Sequence, residues 1–402
     1  MFDGEQPLSG LTVIDCSTVY AGPLAAMYMG DFGAEVIKVE HPGRGDSLRD
    51  YGPSEEETVW KWVGRNKRSV PIDLHDPDGQ SVLLELVEDA DVFIENFRPG
   101  TLEDWNIGWE TLSSVNPELV MVRMTGFGQT GPYSDRPGFG TLAEAMSGFA
   151  YVTGPADGPP TLPAMPLADA VAAMYATFAT MFALYWRDVN GGTGQYIDTS
   201  ILEPLFGAMG EYTVDYGTRG VVHERSGNRS PHTAPRNTYK TKDDRWVALS
   251  GSSQSIAQRI LEIVGGEDLR EDPRFETAAK RIENVDALDD IIADWMADRT
   301  RAEAIRIFEE HDAALAPVYN TADIFEDEHF EARDAVAEVD DEDFGNVPMP
   351  AVFPKLSETP GSIDHTGPDL GEDTMAVLTD RTSLSEEEVR ELAVDGTVTL
   401  EE

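Results

Sequence analysis

One carboxylate stands where a carboxylate could do chemistry. Asp169 heads the longest nearly apolar run, Val171 to Trp186, just after Pro163 and Pro166. The free N–H groups of a helix start favour its ionised form. An Asp in this position is either a helix cap or a carboxylate nucleophile held beside a low-dielectric core. Basic residues gather elsewhere. Lys38, His41, Arg44 and Arg49 follow one strand-like run, Asn66-Lys-Arg68 precedes another, and Asn96-Phe-Arg98 follows a third. In a chain poor in bases, this grouping suggests a ligand with several phosphates at a sheet edge. The alternative is surface cations countering nearby acids.

Several other chemistries are disfavoured. Gly126-Phe-Gly128-Gln-Thr-Gly131 has dinucleotide spacing, but Pro132 and Pro137 follow, so it reads as a turn and not as the helix start the fingerprint requires. No Gly-x-Ser-x-Gly elbow occurs, since Gly251-Ser-Ser-Gln-Ser255 lacks the second glycine. The seven histidines form no His-x-His or His-x-x-x-His pair, and no metal site is expected. The single cysteine, Cys16, rules out an intrachain disulfide.

The frame that positions these residues alternates strand and helix. Leu11–Asp15, Glu35–Glu40, Val70–Leu74, Asp91–Glu95 and Leu119–Met124 read as strands. Helices are expected over Gly22–Gly33 and, after a possible cap at Asp76, over Pro77–Val87. This order predicts an α/β fold with a parallel sheet covered on both faces. Residues 126–166 read as long loops around a Leu142–Ser147 segment, Ala168–Arg187 as the strongest helix, and Gln195–Asp198 as a strand. The composition shifts between Arg219 and Lys242, which reads as a crossover to a smaller domain with a strand at Arg245–Ser250. The expected division is 1–215, 216–314, and a return over 315–402 that ends in a polar tail with a helical stretch near Leu384–Leu392.

The chain has 402 residues, with 75 acidic against 30 basic, a formal charge of −45. The acids are spread along the whole length. This much self-repulsion is relieved by salt, so a cytoplasmic protein of a salt-loaded cell is the simplest expectation. Nucleic acid is an unfavourable partner. The apolar run falls short of the ~20 residues that span a bilayer, and MFDGEQPLSG at the N-terminus has no secretory pattern. No membrane association is expected.

The motifs together resemble class III CoA-transferases, the formyl-CoA transferase and carnitine CoA-transferase family, along nearly the whole chain. The resemblance lies in Leu8-Ser-Gly-Leu-Thr-Val-Ile-Asp15, Ala21-Gly-Pro23, Asp31–Glu40, Asn66-Lys-Arg-Ser69, Glu95-Asn-Phe-Arg-Pro-Gly100 and Thr125–Pro132. It continues in Pro166-Leu-Ala-Asp169, Gly192–Asp198, Arg225-Ser-Gly-Asn-Arg229, Pro235–Tyr239, Asp272-Pro-Arg-Phe275 and Leu315-Ala-Pro-Val318. It implies a Rossmann-like large domain built from both chain ends, a smaller α+β domain, and a homodimer of interlocked ring-like subunits. It also implies no tightly bound cofactor, with a coenzyme A thioester and a free carboxylic acid as substrates. Asp169 would be the nucleophile of a ping-pong exchange through an aspartyl-CoA thioester. Gly251, Ser252, Ser253 and Gln254 would form a loop over the active site. CoA contacts would fall on Val19, Ala21, His41, Ile72, Asn96, Phe97 and Arg98.

Three positions depart from the pattern. Tyr20 replaces the Gln of formyl-CoA transferases beside the reacting carbonyl, which argues against oxalate or formate. Asp104 replaces a frequent Arg. Gly138-Phe-Gly140 replaces the Gly-His-Asp of related acyl-CoA racemases and removes the partner base that racemisation needs. Gly138–Gly148 resembles the branch that handles C4 and C5 dicarboxylic acids. Succinyl-CoA as donor and mesaconate as acceptor are expected on that basis. Malate, citramalate, itaconate or transfer between the two carboxyls of mesaconyl-CoA are the alternatives, and an inactive CoA-binding protein is the reading from another class. Arg44, Arg49, Arg225, Arg229 and Arg236 are the candidates for the remote carboxylate.

Overall fold

A computed structural model describes residues 6–51 and 57–401. The first five residues, part of the N-terminal stretch read for a secretory signal, lie outside them. The chain forms two compact units. One comprises Met1–Phe149, Leu162–Val214 and Phe330–Glu402, and the other Ala150–Thr161 and Asp215–His329.

The first unit runs β1 (Thr12–Asp15), α1 (Ala21–Gly30), β2 (Glu35–Glu40), β3 (Lys67–Pro71), β4 (Val92–Glu95), β5 (Val120–Thr125), α2 (Gly140–Met146), α3 (Leu167–Asn190) and β6 (Gln195–Ser200). The six strands pair in parallel in the order β3-β2-β1-β4-β5-β6. Side chains alternate between the faces. Val13, Val36, Val92 and Val120 enter one core with α1 and α3, while Ile14, Ile37, Phe93 and Met121 enter the other. The sheet reverses its order between β1 and β4, the place where α/β folds bind ligands beyond the strand ends.

The third strand starts at Lys67, three residues before the expected Val70. Its polar opening hides a buried ion pair, because the Lys67 ammonium reaches the Asp15 carboxylate at 2.9 Å. Asp76 caps the helix Pro77–Glu88 by accepting the Asp78 N–H. The helix α3 runs from Leu167 to Asn190 and stops at Gly191, whose left-handed φ of 68° suits glycine. By length and composition α3 could cross a bilayer. Its Ala168, Ala172, Ala173 and Ala176 face is instead packed into the core of the sheet.

The second unit holds an antiparallel sheet of β7 (Arg236–Lys240), β8 (Trp246–Ser250) and β9 (Leu315–Pro317). Helices Gln254–Arg270, Val285–Ala297 and Arg301–Glu310 contribute Ile260, Leu288, Ile292 and Phe308 to its core. Pairing of β9 with β8 keeps the chain in this unit past residue 314, the sequence-based boundary, and as far as His329. The chain then returns through the hairpin β10 (Val336–Asp341) and β11 (Gly345–Pro350). Farther on, the Gly371 N–H donates to Ser69 Oγ at 3.0 Å, and Val398 bridges to Ile72, so the C-terminal segment closes over β3.

Candidate active site

The carboxyl ends of β1, β2, β4 and β5 open onto two cavities. The first, about 340 Å3, is lined by His41, Arg44, Ile72, His75, Phe97 and Trp105 among others. The second, about 180 Å3, is lined by Val19, Tyr20, Ala21, Asn96, Phe97, Arg98, Arg136, Phe139 and Asp169 among others. Thr18 and Phe97 line both, so the cavities adjoin along one groove.

The loop after β1 is held by polar groups from beneath. Asn96 Oδ1 accepts the Thr18 N–H at 2.8 Å, and its Nδ2 donates to the Thr18 carbonyl at 2.6 Å. Asp46 Oδ1 accepts the N–H groups of Val19 and Leu48, while its Oδ2 pairs with the buried Lys38 at 3.0 Å. Burial alone would lower the Lys38 pKa, yet Asp15 and Asp46 raise it, so the ammonium stays charged. This bracing fixes Val19 at φ 69°, an outlier for a β-branched residue that costs on the order of 1–3 kcal/mol. The strain lies in the wall of the second cavity.

Asp169 occupies the first turn of α3 and is half-buried. Burial pushes its carboxyl up to about 6; its own backbone N–H opposes this and the nearby Glu144 charge adds to it. No cation pairs with Asp169 among the described residues. Glu144, buried on α2, accepts the Ala168 N–H at 3.3 Å and so ties α2 to the start of α3. Gly140 packs directly on the Asp169 carboxylate: a Cβ there would lie 3.0 Å from Asp169 Cγ and closer still to Oδ2. Burial, with smaller contributions from Tyr28, Tyr51 and the Asp169 charge, pushes the Tyr20 hydroxyl up to about 12, so it remains a donor at neutral pH.

The glycines of the dinucleotide look-alike have a packing reason. A Cβ on Gly126 would run into the Gly138 backbone, and one on Gly138 into Gly126. This close approach lays the segment carrying Arg136 and Phe139 across the end of β5.

The residues expected from sequence to contact CoA all line this groove: His41 and Ile72 the first cavity, Val19, Ala21, Asn96 and Arg98 the second, Phe97 both. Asp104 lines neither cavity. The five arginine candidates scatter. Arg44 lines the first cavity. Arg49 is buried, bonded through Nε and Nη2 to Glu40 at 2.9 Å each, and stacked over Trp60. Arg229 is taken up by Asp286 and Asp289, each at 2.7 Å. These two guanidinium groups serve the fold, which corrects their place among the substrate candidates. Arg225 donates to the Gly158 and Tyr151 carbonyls, and Arg236 lines a cavity of the second unit. In that unit the Gly251 N–H donates to the Pro235 carbonyl at 2.7 Å, Ser252 Oγ lies 2.7 Å from Ser250 Oγ, and Ser253 caps the helix that Gln254 begins.

Sequence reasoning missed Arg136, Glu144 and His75. The signal for Glu144 was available, as the lone charged residue of Gly140–Gly148.

Asp169 thus lines a cavity that adjoins the groove at the sheet's switch point. The model of the CoA-transferase family III matches residues 8–374. The chain belongs to CoA-transferase family III. It is 40% identical over 388 residues, 96% of each chain, to a succinyl-CoA–D-citramalate CoA-transferase of Chloroflexus aurantiacus. It is 41% identical over 392 residues, again 96% of each, to the beta subunit of a succinyl-CoA–L-malate CoA-transferase of the same organism. Among solved structures, a CAIB/BAIF family protein from Brucella suis superposes with a TM-score of 0.85 at 29% identity, covering 94% of this chain and 100% of the other. The family III CoA-transferase fold therefore extends over both units.

Proposed function

We propose that this CoA-transferase moves CoA from succinyl-CoA to a C4 or C5 dicarboxylic acid, with mesaconate as acceptor. Asp169 carries the reading: a half-buried carboxylate with no cationic partner among the described residues, facing the cavity that adjoins the groove. The names of the two Chloroflexus relatives, a succinyl-CoA–D-citramalate and a succinyl-CoA–L-malate CoA-transferase, support the donor and the dicarboxylate class. They also favour citramalate or malate as a second reading of the acceptor.

In the first half-reaction an Asp169 oxygen attacks the thioester carbonyl. The C–S bond breaks, CoA thiolate leaves, and a mixed anhydride forms. The thiolate then attacks Asp169 Cγ, the anhydride C–O bond breaks, and succinate departs with one former Asp169 oxygen. The acceptor carboxylate attacks the resulting aspartyl-CoA thioester, and the same two steps run backward to give the new acyl-CoA and free Asp169. Each tetrahedral oxyanion needs donors, and removing one such donor typically costs about 3 kcal/mol. The groove past Thr18 and Phe97 leads to the first cavity, where His41, Arg44 and His75 would meet the nucleotide phosphates of CoA.

A homodimer accords with the outer face of α3. Tyr175, Phe178, Phe182 and Tyr185 form an exposed stripe at helical spacing, with Phe182 67% exposed. A second copy covering it would remove this large apolar patch from water. The charge of −45 accords with a salt-rich cytoplasm.

The test is to mix succinyl-CoA with a panel of dicarboxylic acids in molar KCl and resolve the CoA esters by chromatography with mass detection. Mesaconyl-CoA formed only with enzyme and mesaconate is the expected result. Asp169→Ala should abolish exchange while leaving CoA binding intact, and retained turnover in that variant would overturn the mechanism.

A further inference from the structure

We propose that Arg136 is the cation that receives the remote carboxylate of the dicarboxylate acyl group and acceptor. The assignment rests on the transferase function proposed above and names the residue behind its substrate class.

A dicarboxylate brings a second negative charge into a chain of formal charge −45, so its far end needs a dedicated cation. Two arginines, Arg98 and Arg136, are in the wall of the Asp169 cavity. Neither has a carboxylate partner among the described residues, whereas Arg49, Arg65, Arg68, Arg123 and Arg229 all do. The two differ in position. Arg98 adjoins Phe97, which lines both cavities, so it stands where the groove passes from one to the other. Arg136 and its neighbours Pro137, Gly138 and Phe139 line the Asp169 cavity alone. With the nucleotide in the first cavity and the thioester carbonyl at Asp169, the acyl chain beyond the thioester would lie on that side.

The guanidinium is also pre-oriented. Its carbon sits 3.7 Å from the centroid of the Tyr133 ring, and Tyr133 meets Phe127 edge-on at 5.9 Å. The Arg136 N–H closes the turn onto the Tyr133 carbonyl at 2.9 Å. Stacking on an aromatic face holds the plane of the guanidinium and leaves its edge N–H groups for a carboxylate, the bidentate geometry at which arginine excels. No group among the described residues accepts a hydrogen bond from this side chain. The Gly126–Gly138 backbone approach fixes the segment that carries it.

The experiment compares two acceptors of equal length: the dicarboxylate that the panel assay identifies, and its analogue with the remote carboxylate replaced by methyl. In ping-pong kinetics kcat/KM for the acceptor reports the second half-reaction alone, so the donor's own carboxylate does not enter. Arg136→Ala should lower kcat/KM for the dicarboxylate by tenfold to about a hundredfold, the range of a charge-assisted hydrogen bond. The methyl analogue should change by less than about threefold, and Arg136→Lys should restore part of the loss. An unchanged ratio between the acceptors overturns the assignment, as does an equal loss for both. A wild type that transfers CoA to no dicarboxylate overturns the transferase reading and the assignment with it. An active wild type with an unchanged ratio in Arg136→Ala overturns the assignment alone.

Discussion

Gly140→Ala adds one methyl group at the point where α2 touches Asp169. The backbone tolerates it: Gly140 has no left-handed φ, and Ala is the better helix former. The cost comes from the neighbour. The new Cβ would lie 3.0 Å from Asp169 Cγ, whereas non-bonded carbons settle at about 3.5–4.0 Å. The carboxylate must therefore retreat by about 0.5–1 Å, and Oδ2, nearer still, must swing away. A misplacement of about 1 Å costs roughly a hundredfold in rate when reacting atoms must meet in line. We expect kcat to fall by about a hundredfold. CoA affinity measured by calorimetry should change by less than about threefold, because the His41 and Arg44 cavity is untouched. Overpacking of this kind costs about 1–3 kcal/mol, read as a drop of a few degrees in Tm. Gly207→Ala is the control, since its Cβ would meet only the Tyr175 hydroxyl at 3.9 Å. Wild-type turnover in Gly140→Ala, with the variant folded, would show that the chemistry does not pass through the Asp169 carboxylate.

Asp169 should give an acid limb near pH 6 in the pH profile of donor kcat/KM, because the protonated carboxyl is no nucleophile; a flat profile from pH 5 to 8 would contradict this. The same shift has a stability consequence. The native carboxyl holds its proton up to about 6 while the unfolded one ionises near 3.8, so the native state binds more protons between these values and stability falls as pH rises through them. The penalty, at most about 3 kcal/mol, is fully present above pH 6, and Asp169→Asn should raise Tm at pH 8 but not at pH 3.5. Arg49→Ala strands Glu40 without its cation inside the protein and should cost about 3–5 kcal/mol in urea unfolding; a stable variant with a raised acceptor KM would return Arg49 to the substrate site. Molar KCl should raise Tm strongly by screening the surface acids, and a Tm independent of salt would remove the salt-adapted reading.

Much of the frame was legible because it rests on period-two patterning. Val13 and Ile14, Val36 and Ile37, and Val92 and Phe93 alternate between two cores, and the strands fall where those pairs stand. Asp169 was legible through its place ahead of the apolar run that became α3. What escaped was set by distant partners. Lys67 opens β3 although it is charged, because Asp15 on β1, beyond the intervening β2, neutralises it. The strand Arg236–Lys240 looked like linker for a similar reason. Its polar residues close on Asp289, which accepts from Asn237 Nδ2, Tyr239 Oη and Arg229 Nε. Arg49 and Arg229 read as substrate cations for want of any local sign that a carboxylate far along the chain, or nine residues earlier, would claim them.

With 75 acids for 30 bases, a cation finds a carboxylate almost anywhere it turns. Beneath the sheet's carboxyl edge the pairs are buried: Lys38 with Asp46, Lys67 with Asp15, and Arg49 with Glu40. Such pairs gain little net stability once desolvation is counted, but they brace the loop that holds Val19 in its strained conformation. Not every arginine has a carboxylate partner among the described residues: Arg225, Arg236, Arg281 and Arg299 donate to backbone carbonyls instead. Among the described residues Arg44, Arg98 and Arg136 also lack a carboxylate partner, and all three line the two adjoining cavities. An unpaired guanidinium in such a chain is held apart from abundant competitors, and an anionic ligand is what gives that separation a use. Position along the groove then divides the work: Arg44 toward the nucleotide, Arg98 at the passage, Arg136 beside Asp169.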